Sequence, residues 1–218
     1  MIDGSYTLTM KKILVALLFC MGQAQAQTIG DLFVQLPQTI FEPIEKMVST
    51  PFTTSTRKSI VTAKQHRAVR NFQQDNANGF LAFATETDGD GYAFEMTYWK
   101  LASGDKLIAT LVNNNGNCSR YTQNAEFWLY QKGKITNVTK EYYVKVALYK
   151  FYKKITPNIS TLAKQGKIKP LWILPPKGTT IRIVAPEYDC GDDSLPLGNF
   201  YFEMQWQNGK FELVKQNE

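Results

Sequence analysis

From Gly79 to Thr139 apolar and polar residues alternate with a period of two, the spacing that sends successive side chains to opposite faces of a β-strand. The pattern is sharpest where Tyr92, Phe94, Met96 and Tyr98 alternate with Ala93, Glu95, Thr97 and Trp99. Asp88-Gly89-Asp90-Gly91, Ser103-Gly104-Asp105 and Gly133 interrupt the runs with residues that supply tight-turn backbone angles. The stretch therefore predicts a β-meander. A second alternation closes the chain: Phe200, Phe202, Met204 and Trp206 against Tyr201, Glu203, Gln205 and Gln207. Asn208-Gly209 and a return strand through Phe211 and Leu213 make this a hairpin.

Helical spacing appears before the meander. Thr28 is placed to cap a helix through Leu36, with Leu32, Phe33 and Leu36 on one face and Pro37 ending it. Ile40, Phe41 and Ile44 continue the apolar stripe, and a further helix is expected over Thr54–Ala63. Lys64 to Asn78 reads as a polar link. Lys140–Lys154 has the length and freedom from breakers of a helix, and Thr179–Val184 alternates as a strand. The fold class is α+β: a mostly antiparallel sheet of central meander plus C-terminal hairpin, covered by N-terminal helices.

The N-terminus reads as an address. Lys11 and Lys12 precede the apolar run Ile13–Met21, and Ala24-Gln25-Ala26 offers a small-x-small cleavage site, so the mature chain is expected to start at Gln27. The run is about half the roughly 20 residues that a spanning helix needs, so no transmembrane segment is expected. Met10 is the more natural start than Met1. Residues 1–26 are thus an upstream extension and signal peptide, and 27–218 a single α+β domain of the periplasm or cell surface. Export makes a disulfide between Cys118 and Cys190 plausible, since both lie in turn-like surroundings.

The chain carries a formal charge of +6, unevenly spread. Residues 132–182 hold eleven Lys and Arg182 against Glu141 alone. Such a face suits an anionic envelope surface, while export argues against nucleic acid.

Catalytic chemistry is scarce. His66, the one histidine, lies in Lys64-Gln65-His66-Arg67 without a carboxylate to orient it, and no G-x-S-x-G elbow is present. One histidine and two distant cysteines make no zinc site, and neither metal nor cofactor is expected. The candidate binding residues are Asp88 and Asp90 in one acidic turn, Asp192 and Asp193 in another, and the aromatic Trp99 and Trp128. Glu86 and Glu95 cluster with the first acidic turn. Two carboxylates across a cleft suit glycoside hydrolysis, which makes a glycan-directed hydrolase the alternative to a non-enzymatic binding protein. The expected partner is an envelope protein or glycan.

Five segments, DLFVQLPQTI, NGFLAF, EMTYWK, QKGKITNVT and LPPKGTTIRI, together resemble small secreted proteins of unknown function from Bacteroides-like Gram-negative bacteria. The resemblance implies an exported α+β domain and supplies no catalytic residues. It also gives a meaning to Asp193-Ser194-Leu195, which matches the Asp-Ser/Thr-aliphatic triplet that such bacteria O-glycosylate.

Overall fold

The alternating runs form strands whose two faces are both covered. A computed structural model describes residues 27–86, 91–114, 122–144, 161, 164–165, 171–184 and 201–216. Three short α-helices come first: α1 (Ile29–Gln35), α2 (Glu42–Val48) and α3 (Thr54–Ala63), with a 3-10 turn at Gln38–Ile40. Then follow β1 (Arg70–Asp75), β2 (Phe80–Glu86), β3 (Gly91–Lys100), β4 (Lys106–Asn114), β5 (Thr122–Gln131) and β6 (Lys134–Asn137). After the single-turn helix α4 (Thr139–Tyr142) come β7 (Leu171–Ile173), β8 (Thr180–Val184), β9 (Tyr201–Gln207) and β10 (Lys210–Gln216).

The meander is one antiparallel sheet, β1-β2-β3-β4-β5-β6 in sequence order. The C-terminal hairpin does not extend it. It joins β8 and β7 in a second sheet, ordered β10-β9-β8-β7, which packs on the meander's other face. Period two fixes which residues share a face, yet it is silent on which strands lie over that face. The result is three layers: helices, six-stranded sheet, four-stranded sheet.

Register assigns the two faces. Tyr92, Phe94, Met96 and Tyr98 look toward the helices, with Leu81 and Phe83 of β2 and Ile108 and Val112 of β4. There Phe33, Phe41, Phe52, Phe83 and Phe94 form a continuous ring cluster, with centroids 5.1 Å apart for Phe83–Phe94 and 5.7 Å for Phe41–Phe52. Trp99, Leu107, Ala109, Leu111 and Phe127 look the other way, onto Trp172, Ile181, Ile183, Phe202 and Met204. Strand β4 is buried along both faces, which is why Lys106-Leu107-Ile108-Ala109-Thr110-Leu111-Val112 reads as a nearly unbroken apolar run.

The helices are fixed by local chemistry. Thr28 and Asp31 close a capping box on α1. Arg57 of α3, 3% exposed, donates from Nη2 to the Val34 carbonyl at 3.1 Å and from Nη1 to Gln38 Oε1 at 3.3 Å. Its guanidinium also lies 4.7 Å over the Phe41 ring. Glu45 of α2 accepts hydrogen bonds from Gln38 Nε2 and from the Phe52 backbone N–H. One buried cation thereby ties the helical segments together.

Two segments differ from the sequence reading. The polar link contains β1, an edge strand whose sequence Arg-Asn-Phe-Gln-Gln-Asp buries little and so shows no apolar alternation. The helix expected over 140–154 ends at Tyr142, because Tyr143 turns extended and carries its ring onto Trp172, 5.0 Å between centroids. Residues 145–154 lie outside the described residues.

Candidate binding site

A cleft opens where β3 outruns β2. Pairing between the two stops at Phe80↔Thr97, so Tyr98, Trp99 and Lys100 continue past the β1–β2 turn without a β2 partner. This overhang gives the cleft access to residues from both faces of the sheet. It encloses about 440 Å³ and is walled by Gln27 and Thr28, the turn Asn76–Asn78, Tyr98–Lys100, Gly178–Thr179 and Trp206.

Each wall has a local cause. Asp75 Oδ1 accepts the backbone N–H groups of Ala77 and Asn78 at 3.0 Å each, and its Oδ2 accepts Asn78 Nδ2 at 2.6 Å, which shapes the turn. Those bonds, led by the Asn78 side chain, hold the Asp75 carboxyl below its ordinary pKa, with help from Lys177. Gly79 ends the turn at φ +66°, and a Cβ there would lie 2.6 Å from the Tyr98 ring. Only glycine satisfies both conditions.

The aromatic wall continues into the inter-sheet core. Trp99 and Trp206 stand 6.0 Å apart between ring centroids, and Phe211 meets each of them at 4.9 Å. Trp99 is 4% exposed and its indole Nε1 has no hydrogen-bond partner among the described residues. Thr179 accepts the Trp206 backbone N–H at 3.2 Å, which seats the turn before β8 against β9.

Behind the N-terminal wall sits a buried cation. Lys106 Nζ donates to the Gln27 carbonyl at 2.6 Å and lies 4.8 Å over the Tyr98 ring. It stands directly opposite Lys100 on β3. Burial first, and then Lys100, lower its pKa, while Asp31 acts the other way. Among the cleft's charged neighbours, Asp31 is occupied by the backbone N–H and hydroxyl of Thr28, at 2.8 and 2.7 Å.

Trp99 is thus the one candidate residue from the sequence that the structure puts in the cleft. Trp128 lies in the helix-side core, 6% exposed, where its Nε1 donates to Thr110 Oγ1 at 3.1 Å. Asp88, Asp90, Asp192 and Asp193, with Cys118 and Cys190, lie outside the described residues. His66 Nδ1 accepts the Ala68 backbone N–H at 3.2 Å, a local turn contact. Among the described residues, no group of three His, Cys, Asp or Glu side chains forms a metal cage. Likewise no described helix is long and apolar enough to cross a membrane.

Two carboxyls, Glu95 and Glu126, are shifted upward in pKa, each by burial first. Glu95 is not part of an acidic turn. It sits mid-strand in β3 and points between the sheets, with the Leu174 backbone N–H as partial compensation. Glu126 of β5 pairs with Thr110 and points toward the helices. The two occupy opposite faces of one sheet with β4 between them, so they cannot flank a common bond.

Sequence reasoning missed Trp206, Gln27 and Lys106. Trp206 had a readable parity but no readable partner. Lys106 follows Gly104-Asp105 and resembles any lysine leaving a turn.

No family model matches the chain, and no curated protein matches it. Among solved structures, a domain of an uncharacterized protein from Porphyromonas gingivalis W83 superposes with a TM-score of 0.55. The likeness covers 85% of this chain and 97% of that one at 13% sequence identity, and it shows a shared fold.

Proposed function

We propose that the chain is an exported, non-enzymatic binding domain of the cell envelope, which holds a hydroxyl-rich, glycan-like ligand in the Trp99–Trp206 cleft. The observation that carries this reading is the composition of the walls. Tyr98 and Trp206 offer aromatic surface backed by the buried Trp99, and Gln27, Asn76, Asn78 and Thr179 carry amide and hydroxyl groups that both donate and accept. Apolar faces with a few convergent polar groups suit a sugar, whose ring has a C–H face and a rim of hydroxyls. Among the described residues no carboxylate lines the cleft, and nearby Asp75 and Asp31 are engaged in their own turns. The leader-like residues 11–26 support export.

The test is a titration of the purified protein with envelope glycan fragments, followed by tryptophan fluorescence and by thermal shift. A ligand present at one hundred times its dissociation constant stabilises the folded chain by about 2.7 kcal/mol. Trp206→Ala is expected to weaken the interaction by about tenfold or more, roughly 1.4 kcal/mol. Recovery of the glycan intact supports binding without turnover, and release of new reducing ends moves the reading to the hydrolase. No response to any glycan sinks the proposal.

A further inference from the structure

We propose that cleavage after Ala26 leaves Gln27 as the amino terminus, and that Gln27 then closes to a pyroglutamyl lactam forming part of the cleft wall. The proposal rests on the export reading above and adds a covalent modification to the same site.

The geometry begins with the Gln27–Thr28 peptide group, which is held at both ends. Its carbonyl accepts from Lys106 Nζ at 2.6 Å, and its N–H donates to Asp31 Oδ2 at 2.8 Å. Covalent geometry keeps a residue's α-nitrogen within about 4 Å of its own carbonyl oxygen. A new α-amino group at Gln27 therefore lies within about 7 Å of the Lys106 ammonium, with Lys100 directly opposite Lys106 on the next strand. Lys177 acts on Asp75, which is engaged by its own turn. Among the described residues Asp31 is the one carboxylate on the near side; bonded to Thr28, it keeps its charge and opposes the two lysines.

This is a poor place for another cation. Lys106 itself shows it, since burial and Lys100 together outweigh Asp31 and lower its pKa. Lys106 and Lys100 are two cations against the one carboxylate of Asp31, and their charge disfavours a further α-ammonium there, whose ordinary pKa of about 8 already lies near neutrality. A larger share of the terminus is then the free amine.

That amine is the nucleophile for cyclisation. Its lone pair attacks the side-chain carboxamide carbon Cδ of the same residue and forms the ring C–N bond. The carboxamide nitrogen leaves as ammonia, taking up the proton that the attacking amine gives away. No oxidant, reductant or second substrate is needed. The product is a flat, uncharged lactam with one N–H and one C=O. It sits among the amides of Asn76 and Asn78 and beside the aromatic rings, where a cation would otherwise stand.

The full chain, with its leader, is expressed in a Gram-negative host and the exported form is analysed by intact mass and N-terminal sequencing. The expected product is residues 27–218 less one ammonia, with a terminus blocked to stepwise degradation. A chain that begins at Gln27 and keeps its free amine through prolonged incubation overturns the lactam and leaves export and binding standing. A chain cut elsewhere, or not cut, overturns the lactam together with the maturation it rests on, and the mass distinguishes these cases.

A kinetic arm tests the lysines. The mature chain is released from a fusion partner with Gln27 first, and ammonia loss is timed from cleavage. Lys100→Gln, at an exposed position, and Lys106→Gln are each expected to slow it a few-fold near neutral pH. Rates equal to the unaltered chain overturn the role of the two cations. Lys100→Gln keeps this arm decisive even where loss of the buried lysine disturbs folding.

Discussion

The two cores that share the six-stranded sheet are built from different chemistry. On the helix side the centre is five phenylalanines, packed face to face and edge to face with Tyr92, Tyr98 and Tyr130 at the margin, and Trp128 there has its N–H satisfied by Thr110. Between the sheets the large rings include Trp99, Trp172, Trp206, Tyr142 and Tyr143, and the indole N–H groups of Trp99 and Trp172 have no partner among the described residues. An unsatisfied buried donor costs about 1–3 kcal/mol, a cost the helix-side indole avoids. The inter-sheet layer also continues to the surface, as the wall of the cleft. The contrast separates a layer that holds the fold from a layer that carries a site as well.

The hardest blow to this comparison is struck at Phe94, which is fully buried and meets Phe33, Phe41 and Phe83 at 5.6, 5.4 and 5.1 Å. Phe94→Ala is expected to cost about 3–5 kcal/mol of stability, from lost transfer energy plus the cavity left behind. Chemical denaturation measures it. Removing Trp206 from the other layer should cost clearly less, because that ring is only partly buried. Equal losses at the two positions would dissolve the distinction between the layers.

Gly79 sharpens the comparison from the side of the cleft. Gly79→Ala forces a left-handed backbone on an L-residue and drives a methyl toward the Tyr98 ring, 2.6 Å away. The expected loss is about 1–2 kcal/mol, with Tyr98 displaced and ligand affinity reduced. A matched substitution at Gly209, also at positive φ but with open space around it, should cost the backbone part alone. Loss of ligand binding at Gly79 and not at Gly209 would mark the Gly79 turn as part of the site, and equal binding by the two variants would remove it.

Much of this arrangement was legible in the sequence, for identifiable reasons. The meander and the Asn208-Gly209 hairpin announce themselves because period-two alternation is strong there and the turn residues are chemically obligatory; Asn208 and Gly209 both take positive φ. The α1 cap was legible because Thr28 and Asp31 form a local unit. Strand β1 was not, since an edge strand such as Arg70–Asp75 has little to bury and no alternation to show. The second sheet was hidden because β7 and β8 are three and five residues long and their partner face lies far along the chain. The cleft was half legible. Trp99 could be named, but the overhang that carries it to the cleft wall depends on where β2 stops pairing with β3. Gln27, Lys106 and Trp206 meet there only through the tertiary fold.

The gentlest test uses one residue type on the sheet's two faces. Burial raises the pKa of both Glu95, between the sheets, and Glu126, toward the helices. The ordinary value is 4.5, and between it and the raised folded value the native chain binds more protons than the unfolded one. Stability from each carboxyl is therefore fully present below 4.5 and is lost as pH rises through the folded value. Glutamine removes the titration and keeps a carbonyl for the Leu174 N–H that approaches Glu95. Glu95→Gln is thus expected to raise the denaturation midpoint at neutral pH and to change it little in acid. Glu126→Gln should act in the same direction, although a hydrogen bond from the Asn124 side chain favours its ionised form. A Glu95→Gln chain less stable than its parent at neutral pH would show that the carboxylate is wanted between the sheets. The inter-sheet layer would then hold a working charge as well as its aromatic wall.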